Sequence, residues 1–217
     1  IEGSYAILPR WARTPLPGRI KISFLPPLSP SFSREDISSM LRAIAVRSDG
    51  QTILPHRATG IERLLWACPI CHAIGAVSAR GRMIHCGQCG MRWRIDRRLM
   101  LHGPDVGSVP LVELTAPLRE DNILRGRAEL ASIGPVDVLQ GKEVLQKLTS
   151  GRAYYRDERL HVCDESFSLE YARSLTVEGR NRLDIGLARG ERLRLRFKID
   201  SPLKWQRFLQ LRLRIHP

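Results

Sequence analysis

Alternation of apolar and polar residues predicts β-strands along much of this chain. The clearest stretch is RLRLRFKID, residues 192–200, where every second residue is apolar and the residues between are basic. The apolar set is Leu193, Leu195, Phe197 and Ile199, and the basic set is Arg192, Arg194, Arg196 and Lys198. Successive side chains of a strand point to opposite faces, so we expect the apolar set to face a core and the basic set to face solvent. GRIKISF, residues 18–24, has the same period and predicts another strand.

The last hundred residues predict several short strands closed by one helix. RAYYRDERLHVC indicates two strands joined by a turn at Asp157 and Glu158, and SLTVEG with NRLDIGLA indicates a hairpin that turns near 179–181. The helix is predicted from SPLKWQRFLQLRL, with Ser201 as N-cap and Pro202 in the first turn. Its apolar residues would cover the sheet: Leu203, Trp205, Phe208 and Leu211. We expect a small β-barrel or sandwich over residues 108–217, plugged at one end by this helix.

A second helix is predicted from SREDISSMLRAIA. Ser33 and Asp36 have the spacing of a capping box. The apolar residues that follow form one stripe at helical spacing: Ile37, Met40, Leu41 and Ile44. A strand and a helix cannot bury a core alone, so we expect residues 1–47 to pack against another part of a domain. Residues 48–60 are polar, contain Gly and Pro, and indicate a linker.

Four cysteines in two Cys-x-x-Cys pairs predict a metal centre between residues 61 and 100. The predicted ligands are Cys68, Cys71, Cys86 and Cys89. Two short turns with this spacing bring four sulfurs to one ion, as in a zinc ribbon, and four protein ligands indicate a structural rather than a catalytic site. Zinc is the expected ion, and rubredoxin-like iron is the alternative. Paired thiols of this kind favour a reducing compartment.

Neighbouring residues suggest how the ribbon is built. We expect Gly87 and Gly90 to allow left-handed turns and Trp93 to cover the apolar side of the metal. Four cysteines already complete the ligand set, so His72 and His85 are not expected to bind the ion. Cys163 follows an apolar residue and is interpreted as a half-buried core thiol without a further role.

The net charge of +13 and the pI near 10.4 indicate an acidic partner. An anionic membrane surface or lipid is the expected partner, with the alternating basic residues 192–198 as contacts, and nucleic acid is the alternative. The arginines of the cysteine segment would then contact phosphates: Arg80, Arg82, Arg92, Arg94, Arg97 and Arg98. Exposed arginines also occur on ordinary solvated faces.

The first residues, IEGSYAILPRWARTPLPGRIKISFLPPL, resemble the C-terminal end of the 1-acyl-sn-glycerol-3-phosphate acyltransferases. The matching features, in order, are Gly3-Ser4, Leu8-Pro9, Pro17-Gly18-Arg19-Ile20, Phe24, and Pro26 or Pro27. Leu25 departs from the Gly that the family commonly has after the Phe. The resemblance covers about 45 residues with the capped helix, and it implies that 1–47 is a strand–helix remnant of an α/β domain that begins upstream of Ile1.

The resemblance also defines what this chain lacks. The family transfers an acyl group from acyl-CoA or acyl-carrier protein to lysophosphatidate or a similar lipid, using a His-x-x-x-x-Asp pair as general base. None of the six histidines has Asp five positions later: His56, His72, His85, His102, His161 and His216. We therefore expect no catalytic residue and no turnover by this chain alone, and a peripheral position at the cytoplasmic face of the membrane for the parent enzyme.

Residues 108–217 resemble pleckstrin-homology or GRAM-like modules, which have several strands and then a C-terminal helix bearing a Trp. The expected architecture is thus multi-segment and mainly β: an acyltransferase remnant, a Cys₄ zinc ribbon, and a β-module. The leading hypothesis is an accessory part of a phospholipid acyltransferase. The alternatives are a zinc-ribbon nucleic-acid-binding protein and a non-catalytic scaffold module.

Overall fold

The computed structural model describes residues 11, 32–45, 58–104, 107–119 and 123–215, and only the backbone of 41–45. The predicted strand at 18–24 and most of the segment that resembles the acyltransferases lie outside these ranges. The described part is mainly β, with two antiparallel sheets and few helices.

Helix α1 spans Arg34–Ala45 and begins at the predicted capping box. The Asp36 amide donates to Ser33 Oγ at 3.1 Å, and the Ser33 amide donates to Asp36 Oδ2 at 3.0 Å. The two residues therefore satisfy each other's free amides, as the sequence predicts. Ile37 and Met40 are half-buried, and the side chains of Leu41 and Ile44 lie outside the described part of the chain.

The first sheet is a five-stranded meander in the order β1-β2-β3-β4-β5. Its strands are β1 (Val77–Arg80), β2 (Met83–Cys86), β3 (Arg92–Ile95), β4 (Met100–Gly103) and β5 (Gly107–Pro110). A 3₁₀ turn at Ile61–Arg63 precedes it, and the short helix α2 (Leu111–Thr115) follows it. The predicted end of the ribbon at residue 100 is too early, because β4 and β5 continue the first sheet to Pro110. Residue 108, the predicted start of the β-module, therefore belongs to the first sheet.

The second sheet has seven antiparallel strands in the order β10-β11-β12-β6-β7-β8-β9. These are β6 (Leu130–Gly141), β7 (Gln146–Arg156), β8 (Arg159–Val162), β9 (Glu165–Ser168), β10 (Ser174–Glu178), β11 (Arg182–Gly186) and β12 (Arg192–Phe197). A four-stranded meander is thus joined to a three-stranded one through pairing of the first strand with the last. Both predicted hairpins are present, and Asp157 and Glu158 form the β7–β8 turn.

Helix α3 (Pro202–Leu213) covers the second sheet. Ser201 caps it by accepting from the Lys204 amide, and Pro202 lies in the first turn, as predicted. Phe208 packs edge-on against Tyr155 of β7 at 5.3 Å between ring centroids, and Gln206 Nε2 donates to the Leu175 carbonyl of β10 at 2.9 Å. One helix therefore contacts strands from both meanders.

The alternation predicted for β12 is correct inside the strand and wrong just beyond it. Leu193, Leu195 and Phe197 are almost fully buried, whereas Ile199 is 55% exposed. The strand ends at Phe197, and the next three residues bend. A period of two positions side chains only while the backbone remains extended. Ile199 instead lies beside Gly134, where a Cβ would come within 3.1 Å of Ile199 Cδ1.

Candidate metal centre

The four predicted cysteine ligands converge on one point. The sulfurs of Cys68, Cys71, Cys86 and Cys89 all lie within 4.8 Å of one another. Cys68 Sγ is 3.7 Å from Cys89 Sγ, and Cys71 Sγ is 3.7 Å from Cys86 Sγ. All four are free thiols. Each contact crosses between the two Cys-x-x-Cys pairs, so the pairs face each other.

The two pairs form turns with the same backbone hydrogen bonds. The His72 amide donates to the Cys68 carbonyl at 2.9 Å, and the Gly90 amide donates to the Cys86 carbonyl at 3.0 Å. Each leading cysteine then donates its own amide to the carbonyl five residues later, at 3.0 Å and 2.9 Å. We call residues 68–73 and 86–91 the first and second knuckles. Their leading cysteines are buried and their second cysteines exposed.

The position after the second cysteine of each knuckle is left-handed. Gly90 has φ 75°, as expected, and His72 holds the same position in the first knuckle with φ 59°. Gly87 is not among the residues with positive φ, so its predicted left-handed turn is wrong. A non-glycine residue in this region is strained by contact of its Cβ with the following carbonyl. Glycine at position 90 indicates this conformation in the sequence, whereas histidine at position 72 does not, and only the backbone of the first knuckle reveals it.

The knuckles also aim backbone N–H groups at the leading sulfurs. Burial raises the pKa of Cys68 to about 12, against hydrogen bonds from the amides of Cys71 and Ile70. At Cys86, burial again opposes ionisation, but the amides of Cys89 and Gln88 and the neighbouring thiols outweigh it and lower the pKa to about 7. Four thiolates this close together repel one another, so full ionisation of the cluster needs a bound cation.

The donor set fits a tetrahedral divalent ion. Metal–sulfur bonds of about 2.3 Å give a tetrahedron with edges of about 3.8 Å, close to the observed sulfur contacts of 3.7 Å. Four cysteines could therefore bind a metal ion. His85 precedes Cys86 on β2 and so points to the opposite face of the sheet. His72 is exposed. Trp93 is fully buried, and its Cδ1 lies 2.9 Å from the place where a Cβ on Gly103 would be.

The residues that flank the first knuckle contact the second sheet, and the sequence pattern did not single them out. Arg63 Nη2 donates to the Lys198 carbonyl at 2.5 Å, and its Nη1 donates to the Arg180 carbonyl at 3.5 Å. Ser201 Oγ in turn donates to the Arg63 carbonyl. Two residues after the first knuckle, a Cβ on Gly75 would lie 3.3 Å from Ile133 Cδ1 of β6. The two sheets therefore share one contiguous apolar core.

The basic residues predicted to contact lipid are mostly engaged in ion pairs. The ion-paired members of that set are Arg192, Arg194 and Lys198, and the fourth member, Arg196, is exposed. Arg194 is only 14% exposed and donates from Nε and Nη2 to Asp184 at 2.6 Å each, with Glu178 at 2.8 Å. These cross-strand carboxylates neutralise most of the predicted surface, which no spacing along β12 reveals.

Two buried carboxylates organise the second sheet. Asp137 accepts from Lys198 Nζ at 2.7 Å, Ser150 Oγ at 2.7 Å and Lys147 Nζ at 2.9 Å. The Lys198 contact is the main reason that the pKa of Asp137 lies far below its usual range. At the start of α3, Asp200 Oδ2 accepts from Lys204 Nζ at 2.7 Å and from Trp205 Nε1 at 2.9 Å. Burial lowers the pKa of Lys204 despite this pairing.

Cys163 is not a core thiol. It is exposed in the β8–β9 turn with φ 52°, and its Sγ donates to the Ser150 carbonyl at 3.2 Å. It therefore belongs to a surface turn. Its sulfur occupies the space over Gly151, where a Cβ would come within 2.1 Å of Cys163 Sγ.

Comparison with known proteins gives no family. No protein-family model matches this chain, and no curated protein matches it either. Among the described residues, no helix is both long and apolar enough to span a bilayer. The fold and the site define a protein with a four-cysteine cluster beside a five-stranded sheet that packs against a seven-stranded sheet.

Proposed function

We propose that this chain is a non-catalytic accessory module of a glycerophospholipid acyltransferase, and that a structural zinc ion holds its first half together. The observation that carries the zinc proposal is the pair of 3.7 Å sulfur contacts between two knuckles of identical hydrogen bonding. A closed set of four thiolates leaves no position for a substrate or water, so the ion would contribute to folding rather than to chemistry. Iron bound in the same set is the alternative occupant.

The metal has a clear structural task in this proposal. The segment from Ala67 to Met91 contains both knuckles and two four-residue strands, too little to fold alone. Structural zinc contributes on the order of 10 kcal/mol to the folding of such segments. Once folded, the segment presents Ile84 to the shared core, beside Trp93 on the next strand, β3. The ion would thus stabilise the docking of the two sheets through residues far from the sulfurs.

The arrangement of the second sheet supports a resemblance to pleckstrin-homology or GRAM-like modules. Seven strands followed by a closing helix that buries Trp205 have the order of elements on which that resemblance rests. Such a module serves in binding and placement.

The acyltransferase part of the proposal is supported by sequence order. The Pro-Gly-Arg-Ile and Phe-x-Pro features of residues 17–26 precede a capped helix, and α1 with its Ser33–Asp36 box occupies the place of that helix. The enzyme would transfer an acyl group from acyl-CoA or acyl-carrier protein to lysophosphatidate or a related acceptor. The catalytic base would belong to a segment upstream of Ile1.

Two experiments test these statements separately. Reading the gene upstream of the Ile1 codon should reveal a His-x-x-x-x-Asp motif in the same frame, and a stop codon or a start codon directly before Ile1 would reject the acyltransferase assignment. Metal analysis of protein purified under reducing conditions should give one zinc per chain. A colourless, metal-free and fully folded protein would reject the structural zinc, and red protein with one iron would replace zinc by iron.

A further inference from the structure

The outer face of the five-stranded sheet carries one cross-strand row that crosses every strand. The paired residues of that row are Arg80, Met83, Arg94, His102 and Ser108. Residues directly opposite each other in an antiparallel pair share a face, so these five side chains lie on the same side. The neighbouring row, two residues away, contains Ser78, His85 and Arg92. We call the surface formed by both rows the ribbon face.

The opposite side of the sheet is part of the core. Ile84, Trp93, Ile95 and Leu101 alternate with residues of the ribbon face and are fully buried. Cys86 lies on that inner side as well, because it follows His85 directly on β2. The thiol cluster and the ribbon face therefore use different sides of β2. In the described part of the chain, the sheet is thus anchored on one side and exposed on the other.

The ribbon face has positive charge without matching carboxylates. Arg80, Arg92 and Arg94 are exposed, and among the described residues none of them forms an ion pair. Asp96 is the only acidic residue in the sequence from 63 to 104. Its carboxylate is already engaged by His102 Nε2 at 3.0 Å and by backbone amides at 2.8 Å and 2.9 Å. This differs from residues 192–198, where Asp184 neutralises Arg192 and Arg194, and Asp137 neutralises Lys198.

Met83 lies at the centre of these arginines and is 45% exposed. It pairs across the strands with Arg80 on one side and Arg94 on the other. Methionine is flexible and apolar, and it adapts to irregular apolar surroundings. In amphipathic helices that bind the bilayer interface, apolar side chains enter the headgroup region and basic residues contact anionic lipid, and the ribbon face combines the same two kinds of side chain.

We propose that the ribbon face docks this module on an anionic lipid bilayer. Its shape favours a bilayer over nucleic acid: the row crosses five strands, about 19 Å, whereas the DNA major groove is about 12 Å wide and admits two strands. Single-stranded nucleic acid is bound by stacking on exposed aromatic rings, and the aromatic residue of these strands, Trp93, faces the core. This inference rests on the proposed function, because a module of a phospholipid-modifying enzyme would work next to a bilayer.

The test is co-sedimentation of the zinc-loaded chain with vesicles of phosphatidylcholine alone or with one quarter phosphatidylglycerol. Wild type should partition onto the anionic vesicles only, and 0.5 M salt should release it. The variant R80Q/R92Q/R94Q should bind about a hundredfold more weakly, since each basic residue near such a surface contributes about fivefold. Equal binding of this variant and wild type, or equal recovery with neutral vesicles, would overturn the proposal.

The matched control is R152Q/R156Q/R159Q, which removes the same charge from the outer side of β7 and β8. It should bind anionic vesicles within about threefold of wild type. Zinc content and thermal unfolding of both variants establish that the fold is intact. Binding to single-stranded or duplex oligonucleotides is measured with the same variants. If oligonucleotide binding depends on Arg80, Arg92 and Arg94 and vesicle binding does not, the partner of the ribbon face is nucleic acid and the bilayer proposal is rejected. The vesicle assay contains no acyl donor and measures binding only. A negative result would therefore reject the docking proposal but not the acyltransferase assignment, which the reading-frame test decides.

Discussion

His72 and Gly90 hold the same position in the two knuckles, one residue after the second cysteine, and both are left-handed, with φ 59° and 75°. Each donates its amide to the carbonyl of the leading cysteine of its knuckle. The two knuckles thus share one backbone conformation, but only the second knuckle has glycine at its left-handed position.

Substitutions at these positions should separate backbone strain from side-chain contact. A Cβ on Gly90 would meet nothing within 4 Å, so G90A should lower the free energy of unfolding by about 1 kcal/mol through strain alone. H72G should raise it by about 0.5–1 kcal/mol. The control is G87A, whose Cβ would make an ordinary contact at 3.7 Å. Urea unfolding at fixed free zinc measures all three, and a loss in G87A as large as in G90A would contradict this explanation.

Metal removal should unfold the first sheet. Wild type and C163S should each bind one ion per chain, because Cys163 lies in the β8–β9 turn and outside the cluster. C68S should lose the ion and a large part of the stability, on the order of several kcal/mol. The measurements are metal content by mass spectrometry and amide hydrogen exchange of β2 and β3 with and without chelator. Unchanged protection of those strands after chelation would argue against a structural ion.

Arg63 should contribute to the docking of the two sheets. R63A removes donors to the Lys198 and Arg180 carbonyls and should lower the free energy of unfolding by about 2 kcal/mol. R82A, in the exposed β1–β2 turn, should change it by less than about 0.5 kcal/mol. Chemical denaturation provides the comparison. Equal effects of the two substitutions would mean that the Arg63 contacts do not hold the sheets together.

Asp137 should make stability depend on acid pH. Its pKa is lowered mainly by the hydrogen bond from Lys198, with Ser150 and Lys147 adding to it. The folded state therefore favours the carboxylate, and the stabilisation is complete above the unfolded pKa of about 3.9 and is lost as pH falls below that value. D137N should lower stability by about 1 kcal/mol at pH 7 and weaken its dependence on pH between about 5 and 2. Thermal unfolding across that range measures the slope, and identical slopes would contradict the prediction.

Replacing the two residues of the β7–β8 turn by Asn-Gly should stabilise the protein. Asp157 and Glu158 have φ 51° and 60°, the pattern of a two-residue turn that favours Asn-Gly. D157N/E158G should raise the free energy of unfolding by about 0.5–1 kcal/mol. E165G, in β9, should lower it because that position is an ordinary strand residue. Thermal unfolding compares the two, and a destabilised D157N/E158G variant would show that the acidic side chains matter more than the backbone.

Local chemistry allowed several elements to be predicted from the sequence. The Ser33–Asp36 box, the Ser201 cap and the turn at Asp157 depend on residues within a few positions of one another. The cysteine cluster is also a local signal, because each knuckle is complete within six residues and needs only a hairpin to meet the other. Alternation predicted the buried face of β12 for the same reason, and it was wrong at Ile199 once the strand had ended.

The tertiary structure decided which charged side chains are exposed to solvent and which are held in ion pairs. The arginine at 194 and the lysine at 204 have the sequence pattern of exposed residues, yet one is held by Asp184 and the other is buried against Asp200. The β11–β12 register and the start of α3 bring these partners together, and a pattern read along one strand or helix does not include what lies beside it. Sequence thus determined where strands, caps and sulfur ligands form. Only the tertiary structure, through strand register and the position of α3, determined which positive charges are neutralised by carboxylates and which, on the ribbon face, remain exposed among the described residues.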